Sequence, residues 1–392
     1  MKIFVFTATR FPEGMAATNR IYCYAKGWKA AGIDTEVLIC RNIGADDGRM
    51  SYEGRKGDLT YKYIVNQKYS KNSLKRKIDW FFLDFFCCIP YIWKHLKRND
   101  IAYVYIYNNI LQIILITIAK IKGAKLVRET CEHPSALGGS GKIKALYRWI
   151  EYHLLFPKYD VFIPISRELD NFVKKYKSKK AQTLIVPILV EDNDTIDVSQ
   201  KASLYDVPYI IHTGTMLEQK DSISIILKAF AKYKETNSDK LRLVFTGQHA
   251  NDKCSYIPTI KKLGIEKWVD LLGLVSKEEV TILQHYAAMS IVYKSDNLQT
   301  RNCFPTKLGE VLMGGIPVIT TNVGDANLYL KNRENAIIIK DGSIEELCDS
   351  IVYLMTNPTV AKSIGEKGTL IAKMHFNPIS QGMRMAELFK KM

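Results

Sequence analysis

Short apolar runs rich in β-branched and aromatic residues recur along this chain, and between them the apolar positions spread out to a helical spacing. Residues 3–7 read as a buried strand, 16–31 as a helix closed by Gly32, and 35–40 as the next strand. Further strands are predicted over 101–107, 125–128 and 161–165, each followed by a helical pattern. After the apolar run 185–190 comes a polar, acidic stretch, Glu191-Asp-Asn-Asp-Thr-Ile-Asp, of the kind that links domains. A second series then begins, with strands predicted over 209–213, 241–246, 269–272, 289–293, 317–320 and 336–339. Strands alternating with helices imply parallel sheets covered by helices, so the fold class is α/β with two doubly wound domains. The expected division is 1–190, a linker over 191–208, a second domain over 209–377 and a terminal segment over 378–392.

Length agrees with this division, because 392 residues exceed the usual size of one hydrophobic core. With 47% hydrophobic and 24% charged residues the chain lies well outside the disordered class. Charge changes the picture more: 56 Lys and Arg against 40 Asp and Glu give a net +16, which favours partners that carry phosphate or lie on an anionic surface. Basic residues are spread over the helical patterns with no DNA-reading or RNA-binding signature, so specific nucleic-acid recognition is not expected. The eight cysteines are scattered without metal-ligand spacing, so they read as reduced thiols and no metal site is expected.

The first residues lack the charged and apolar pattern of a signal peptide, and the greasy stretch 80–93 carries Asp84 and Pro90 and falls short of the ~20 residues a spanning helix needs. A cytoplasmic protein is therefore expected. The basic, aromatic stretch 68–98 has Lys71, Lys75, Arg76 and Lys77 ahead of Trp80, Phe81, Phe82, Phe85 and Phe86, then Lys94, Lys97 and Arg98. It reads either as a peripheral anchor on an anionic membrane face or as a core helix flanked by solvated charge.

Candidate chemistry lies beyond the ends of the predicted strands, where doubly wound folds bind ligands. Gly14 precedes the first helix, Gly214 ends the strand 209–213, and Lys220 follows as a positive charge suited to a diphosphate. The densest cluster runs from Thr300 to Thr321, with Lys307 and Glu310 one helical turn apart. There Glu310 is suited to accept ribose hydroxyls and Lys307 to meet phosphate; a surface ion pair is the plainer alternative. His133, past the strand 125–128 in Arg128-Glu-Thr-Cys-Glu-His-Pro, is a candidate proton carrier or sugar ligand, although a lone His is more often structural. His95 and His153 fall in helical patterns and are assigned no chemistry.

The order of these motifs resembles the retaining GT-B glycosyltransferases of family 4, the group 1 glycosyl transferases, over nearly the whole chain. Gly214-Thr-Met followed by Lys220-Asp is similar to the family's Gly-Arg-Leu and Lys-Gly, with Thr215 where the family has Arg. Val269-Asp-Leu-Leu-Gly, Pro164-Ile-Ser-Arg-Glu-Leu and Val186-Pro-Ile-Leu-Val-Glu fall in family order. The Glu-x7-Glu signature falls on Asn302 and Glu310, followed by Gly315-Ile-Pro-Val, so its first carboxylate is an amide here. The resemblance implies two Rossmann-like domains facing a central cleft, with 378–392 a helix that crosses back to the first. It implies catalytic roles for His133, Lys220, Asn302 and Glu310, and donor contacts at Gly14, Gly214, Thr215, Gly247, Leu274, Arg301, Cys303, Phe304, Thr306 and Lys307. Arg301 is expected to restore the positive charge missing at Thr215.

By the same resemblance the donor is a UDP or GDP sugar and no cofactor or metal is needed, because Lys, Arg and helix N-termini stabilise the departing diphosphate. The acceptor is a saccharide or a lipid-linked saccharide of capsule or lipopolysaccharide type, met at the inner face of the cell membrane. Two other readings stay open: a nucleotide-sugar epimerase, which turns over donor alone, and a non-catalytic membrane-binding protein with a degenerate donor site.

Overall fold

The computed structural model describes residues 1–14, 16–41, 51–65, 73–133, 141–191, 202–251, 254–302 and 304–392. The chain divides into two compact units, one of Met1–Pro187 with Pro378–Met392 and the other of Ile188–Asn377. Most of the acidic stretch expected as a linker, 192–201, lies outside the described residues.

The first unit alternates β1 (Lys2–Thr7), α1 (Ala16–Ala30), β2 (Asp34–Ile39), β3 (Glu53–Lys56), β4 (Leu59–Tyr63), α2 (Ser73–His95), β5 (Ile101–Tyr105), α3 (Asn109–Lys122), β6 (Lys125–Thr130), α4 (Lys142–Ile150), β7 (Val161–Pro164), α5 (Arg167–Lys174) and β8 (Gln182–Thr183). Its sheet has the order β3-β4-β2-β1-β5-β6-β7-β8, parallel throughout except for β3 against β4. The β3–β4 hairpin has no counterpart in the expectations, because Glu-Gly-Arg-Lys carries no apolar signal and most of β3 is exposed. Pro90 lies inside α2 and does not end it. Gly32, at φ +77, closes α1 as expected.

The second unit runs β9 (Tyr209–Thr213), α6 (Glu218–Asp221), α7 (Ile223–Thr236), β10 (Arg242–Thr246), α8 (Ile257–Lys262), β11 (Val269–Leu271), α9 (Lys277–Tyr286), β12 (Met289–Val292), α10 (Leu298–Arg301), α11 (Thr306–Met313), β13 (Val318–Thr321), α12 (Ala326–Tyr329), β14 (Ile337–Ile339), α13 (Ile344–Thr356) and α14 (Pro358–His375). Its all-parallel order, β11-β10-β9-β12-β13-β14, is that of a Rossmann domain. The order reverses between β9 and β12, so the loops leaving those two neighbours diverge and open a crevice at their carboxyl ends.

The last helix, α15 (Pro378–Lys390), belongs to the first unit and packs on α1. Small residues allow the contact: a Cβ on Gly27 would lie 2.5 Å from both the Gly382 Cα and the Pro378 carbonyl oxygen. Close backbone approach lets Phe389 reach the fully buried Trp28, with ring centroids 6.1 Å apart. Replacing Gly382 by Ala forces these backbones apart. The expected outcome is a loss of about 2 kcal/mol in urea unfolding, the usual cost of overpacking.

Candidate functional site

In the second unit the β9 strand delivers its chain to the crevice at Gly214. A Cβ on Gly214 would lie 2.9 Å from His212 Nε2, 3.3 Å from Lys307 Nζ and 3.5 Å from Asp221 Oδ2, so these three groups converge on one point of bare backbone. Lys307 arrives from the first turn of α11, and Asp221 from the end of α6. A fourth group comes from the neighbouring strand: Lys294, just after β12, donates to Asp221 Oδ1 at 2.5 Å. Both partners of that pair are largely buried, with side-chain exposures of 15% and 5%.

The loop is fixed from behind by a second glycine. Gly247 has φ +141, and a Cβ there would overlap the Gly214 carbonyl. The Gly214 amide donates to the Thr246 carbonyl at 2.9 Å, which ties the two loops together. Thr215 Oγ1 donates to Asp221 Oδ2 at 3.4 Å, and Ser222 bonds to Ser295 across the crevice.

Electrostatics follow from this packing. Burial pushes the Asp221 carboxyl up, but Lys294 and His212 outweigh it and hold it below its ordinary value. Burial lowers Lys307, against the pull of Glu310 and Asp221 and with help from Lys294. Glu310 is exposed at its surface, yet enough protein surrounds the carboxyl for desolvation to raise its pKa, against Lys307 and Lys277. His212 Nδ1 lies 2.9 Å from the Ile291 carbonyl oxygen, which only accepts, so Nδ1 carries the proton. Nε2 is left as a buried acceptor with no hydrogen-bond partner.

The sequence-predicted residues divide around this cluster. Gly214, Thr215, Gly247 and Lys307 lie in it, and Glu310 follows one turn after Lys307 on α11. Lys220 is exposed on α6 and lines a different cavity of about 630 Å³ with His249 and Tyr256. The Arg301 guanidinium, expected to restore the charge missing at Thr215, grips Asp296 at 2.5 and 2.9 Å, whereas Lys307 Nζ lies beside Gly214 and Lys294 pairs with Asp221. Asn302 is buried and spends its amide on the Leu298 carbonyl at 2.6 Å, closing α10. Phe304 is a core residue, 3% exposed and packed on Tyr329 and Phe376, where a donor contact was expected. Thr306 is exposed at the first position of α11, Leu274 is 78% exposed, and Cys303 lies outside the described residues. Sequence reasoning missed Lys294, Asp221 and His212; each lies beside or within a predicted strand or motif, but only the β9–β12 adjacency brings them together.

In the first unit, Gly14 sits in a tight turn where Thr18 Oγ1 donates to the Arg10 carbonyl at 2.6 Å, and a Cβ would lie 2.7 Å from that carbonyl oxygen. His133 packs edge-on against Phe172 at 4.6 Å, and burial, with the charges of Arg148 and Lys175, keeps its pKa below the ordinary histidine value. A cavity of about 540 Å³ beside α1 is lined by Asp34 and Leu59, at the amino ends of β2 and β4, away from the ligand-binding end of such sheets. Among the described residues no cluster of three or more His, Cys, Asp or Glu is placed to hold a metal ion, and the described cysteines are free thiols.

Residues 195–370 match the family described as glycosyl transferases group 1. No curated protein sequence matches the chain significantly. Among solved structures, sucrose-phosphate synthase from Thermosynechococcus elongatus superposes with a TM-score of 0.73 at 11% identity, covering 100% of this chain and 98% of that one. The Anabaena protein HepE in complex with UDP-glucose gives 0.70 at 14% identity, with 100% of both chains covered. The lipopolysaccharide outer core galactosyltransferase WaaB, in its apo form, gives 0.67 at 14% identity, again over 100% of both chains. The fold is that of the GT-B proteins, with two Rossmann-like domains.

His212 offers a test of the cluster's electrostatics. Its pKa is pushed down to about 4: burial lowers it most, Asp221 and the bond to Ile291 oppose, and Lys307 and Lys294 push it down further. An unfolded histidine titrates near 6.5, so between these values the unfolded chain takes up the extra proton. The stabilisation is therefore full above the unfolded value and is lost as pH falls towards 4, on the order of 3 kcal/mol in all. His212→Asn keeps a donor for Ile291 and removes the titration. Urea midpoints of wild type and variant are expected to converge as pH falls through that window; a gap that stays constant would refute the assignment.

Proposed function

We propose that this chain, whose second unit carries a group 1 glycosyl transferase domain on a GT-B fold, moves a sugar from a nucleoside diphosphate donor to a saccharide or lipid-linked saccharide acceptor. The observation that carries this reading is the convergence of His212, Lys307 and Asp221 on the bare backbone of Gly214, with Lys294 paired to Asp221, at the β9–β12 crevice. Two ammonium groups, one paired with Asp221 and the other a helical turn from Glu310, offer charge-assisted donors that suit a diphosphate.

The residues divide the work as follows. Gly214 leaves room for a phosphate oxygen to approach the backbone, and Lys307 and Lys294 neutralise the charge that grows as the sugar–phosphate bond breaks. Asp221, which itself lies beside Gly214, holds Lys294, so the second cation comes from the end of β12 where the family pattern has Arg at 215. Glu310 accepts the ribose hydroxyls, and the neutral Nε2 of His212 accepts a hydrogen bond from a donor hydroxyl or a bound water. The donor is of UDP type, in keeping with the UDP-glucose complex of the structurally similar HepE. Transfer proceeds with retention and without a metal, the departing phosphate taking the acceptor's proton. The acceptor belongs to a cell-surface polysaccharide, capsule or lipopolysaccharide, built at the inner face of the membrane, where the basic aromatic stretch of α2 brings the protein.

Calorimetric titration with UDP, GDP and ADP tests the donor site. Wild type is expected to select one nucleotide, UDP first. Lys307→Met and Lys294→Met are each expected to weaken it by about tenfold to a hundredfold, the cost of a charge-assisted hydrogen bond, and Glu310→Ala by about tenfold. If Lys294→Met binds as wild type does, the second-cation role fails; if wild type binds no nucleotide, the donor reading fails. Turnover of the sugar donor with no acceptor present would replace transfer by epimerisation.

A further inference from the structure

Helix α4 exposes an apolar stripe. Ile143, Leu146 and Trp149 recur at helical spacing with exposures of 85%, 58% and 51%, and no residue of the helix is buried. A helix this amphipathic normally turns its stripe inward. Here Tyr147, about 100° around the helix from Leu146, ties α4 to α3 and leaves the stripe exposed: the Asn109 amide donates to its hydroxyl and Asn109 Nδ2 donates to its carbonyl at 2.7 Å. The stripe thus faces outward beside the start of α3.

Two neighbouring elements extend it. At the start of α3, Ile110 and Ile113 are exposed. On α2, Phe82 and Phe86 are exposed and stacked, with centroids 6.1 Å apart and planes 2° from parallel. Helices α2 and α3 pack together, and Lys122 at the end of α3 lies 4.3 Å over the ring of exposed Trp93 at the end of α2. Phe86 is about 10 Å along α2 before Trp93, and Ile113 about 13 Å along α3 before Lys122, so the two apolar pairs run level.

We propose that this face of α4, α3 and α2 docks on an anionic lipid bilayer. Charge decides the occupant. From Lys142 to Trp149 the sequence carries Lys142, Lys144 and Arg148 and no acidic residue, in a chain of net +16. Bulky apolar side chains flanked by cations on an outward-facing helix match a headgroup region, where the rings enter the acyl boundary and the cations meet lipid phosphates. No helix among the described residues is long and apolar enough to cross a membrane, so the contact lies along the surface. The face sits at the carboxyl ends of β5 and β6, the end where doubly wound domains bind ligands, which would bring a lipid-carried acceptor close to His133. Docking itself stands without the donor reading.

Flotation of the full chain with vesicles of phosphatidylcholine and phosphatidylglycerol at roughly 2:1 tests it. Wild type is expected to float with these vesicles, far less with phosphatidylcholine alone, and less as salt rises. Leu146→Ser with Trp149→Ser is expected to cut partition by about tenfold or more. Both positions are exposed, so far-UV dichroism and UDP affinity should match wild type, and UDP binding absent from both proteins would fault the donor site while flotation still reported on this face. The proposal is overturned if wild type stays with the unbound fraction, if the double variant floats equally well, or if wild type forms a dimer that the variant loses, which would give the face to a second copy.

Discussion

Two glycine backbones in contact set the geometry of the second unit's site. Gly247 takes a φ of +141 that side-chain-bearing residues rarely adopt, and the space a Cβ would fill is taken by the Gly214 carbonyl. With the β10 loop pressed flat, the β9 loop turns at Gly214 and shows bare backbone to the crevice, and the Gly214 amide is used up on Thr246. Everything else that converges there, Lys307, Asp221 and His212, does so within the space that the missing side chain leaves open. A side chain at either position would displace the loop on which those distances depend.

Charge then follows from topology. Because β12 pairs with β9, the residue leaving β12 is bound to fall beside the loop leaving β9, and that residue is Lys294. Asp221 answers one of two ammonium groups. Lys307 makes no ion pair of its own among the described residues, and burial lowers its pKa against the pull of Glu310 and Asp221. The arrangement therefore favours an anion that brings its own oxygens to the lysines. His212 adds no positive charge near neutral pH, so among the described residues of the cluster the cations are Lys294 and Lys307.

The alternation of apolar runs made the two sheets legible, and β9 spans the residues expected of it because its apolar run is bounded sharply by Pro208 and Gly214. The β3–β4 hairpin was not legible, since β3 is polar and is held by pairing with β4. Within the site, Gly214 and Lys307 stood out by residue type and position. Lys294 and Asp221 did not, for their role depends on which strands are neighbours, and strand order is not written in local pattern. The partners of Arg301 and Phe304 were not legible for the matching reason: nearness in sequence to a motif says nothing about whether Asp296 or an aromatic core meets the side chain. The stripe on α4 is readable as amphipathic, but only the exposure of Ile143, Leu146 and Trp149 in the fold shows that it faces outward.

The first unit spends buried charge for a different end. Arg20 and Glu129, 7% and 0% exposed, form an ion pair at 3.1 Å, and Tyr24 and Tyr103 donate to the same carboxylate. Burial, then the charge of Glu129, pushes the Tyr103 phenol well above its usual range, which keeps it a donor. Removing two charges from water is costly and seldom repaid by their attraction alone, so the stabilising value of such a pair lies in the geometry it imposes. Here the geometry is specific: the guanidinium also donates to the carbonyls of Val186 and Pro187 at 2.7 and 2.6 Å, the last two residues before the chain leaves this unit. An apolar residue at position 20 could fill the same volume, but it would leave both carbonyls without their donors and the exit of the chain unpinned. The buried pair therefore fixes where the first unit ends, a task that apolar packing, being non-directional, does not perform.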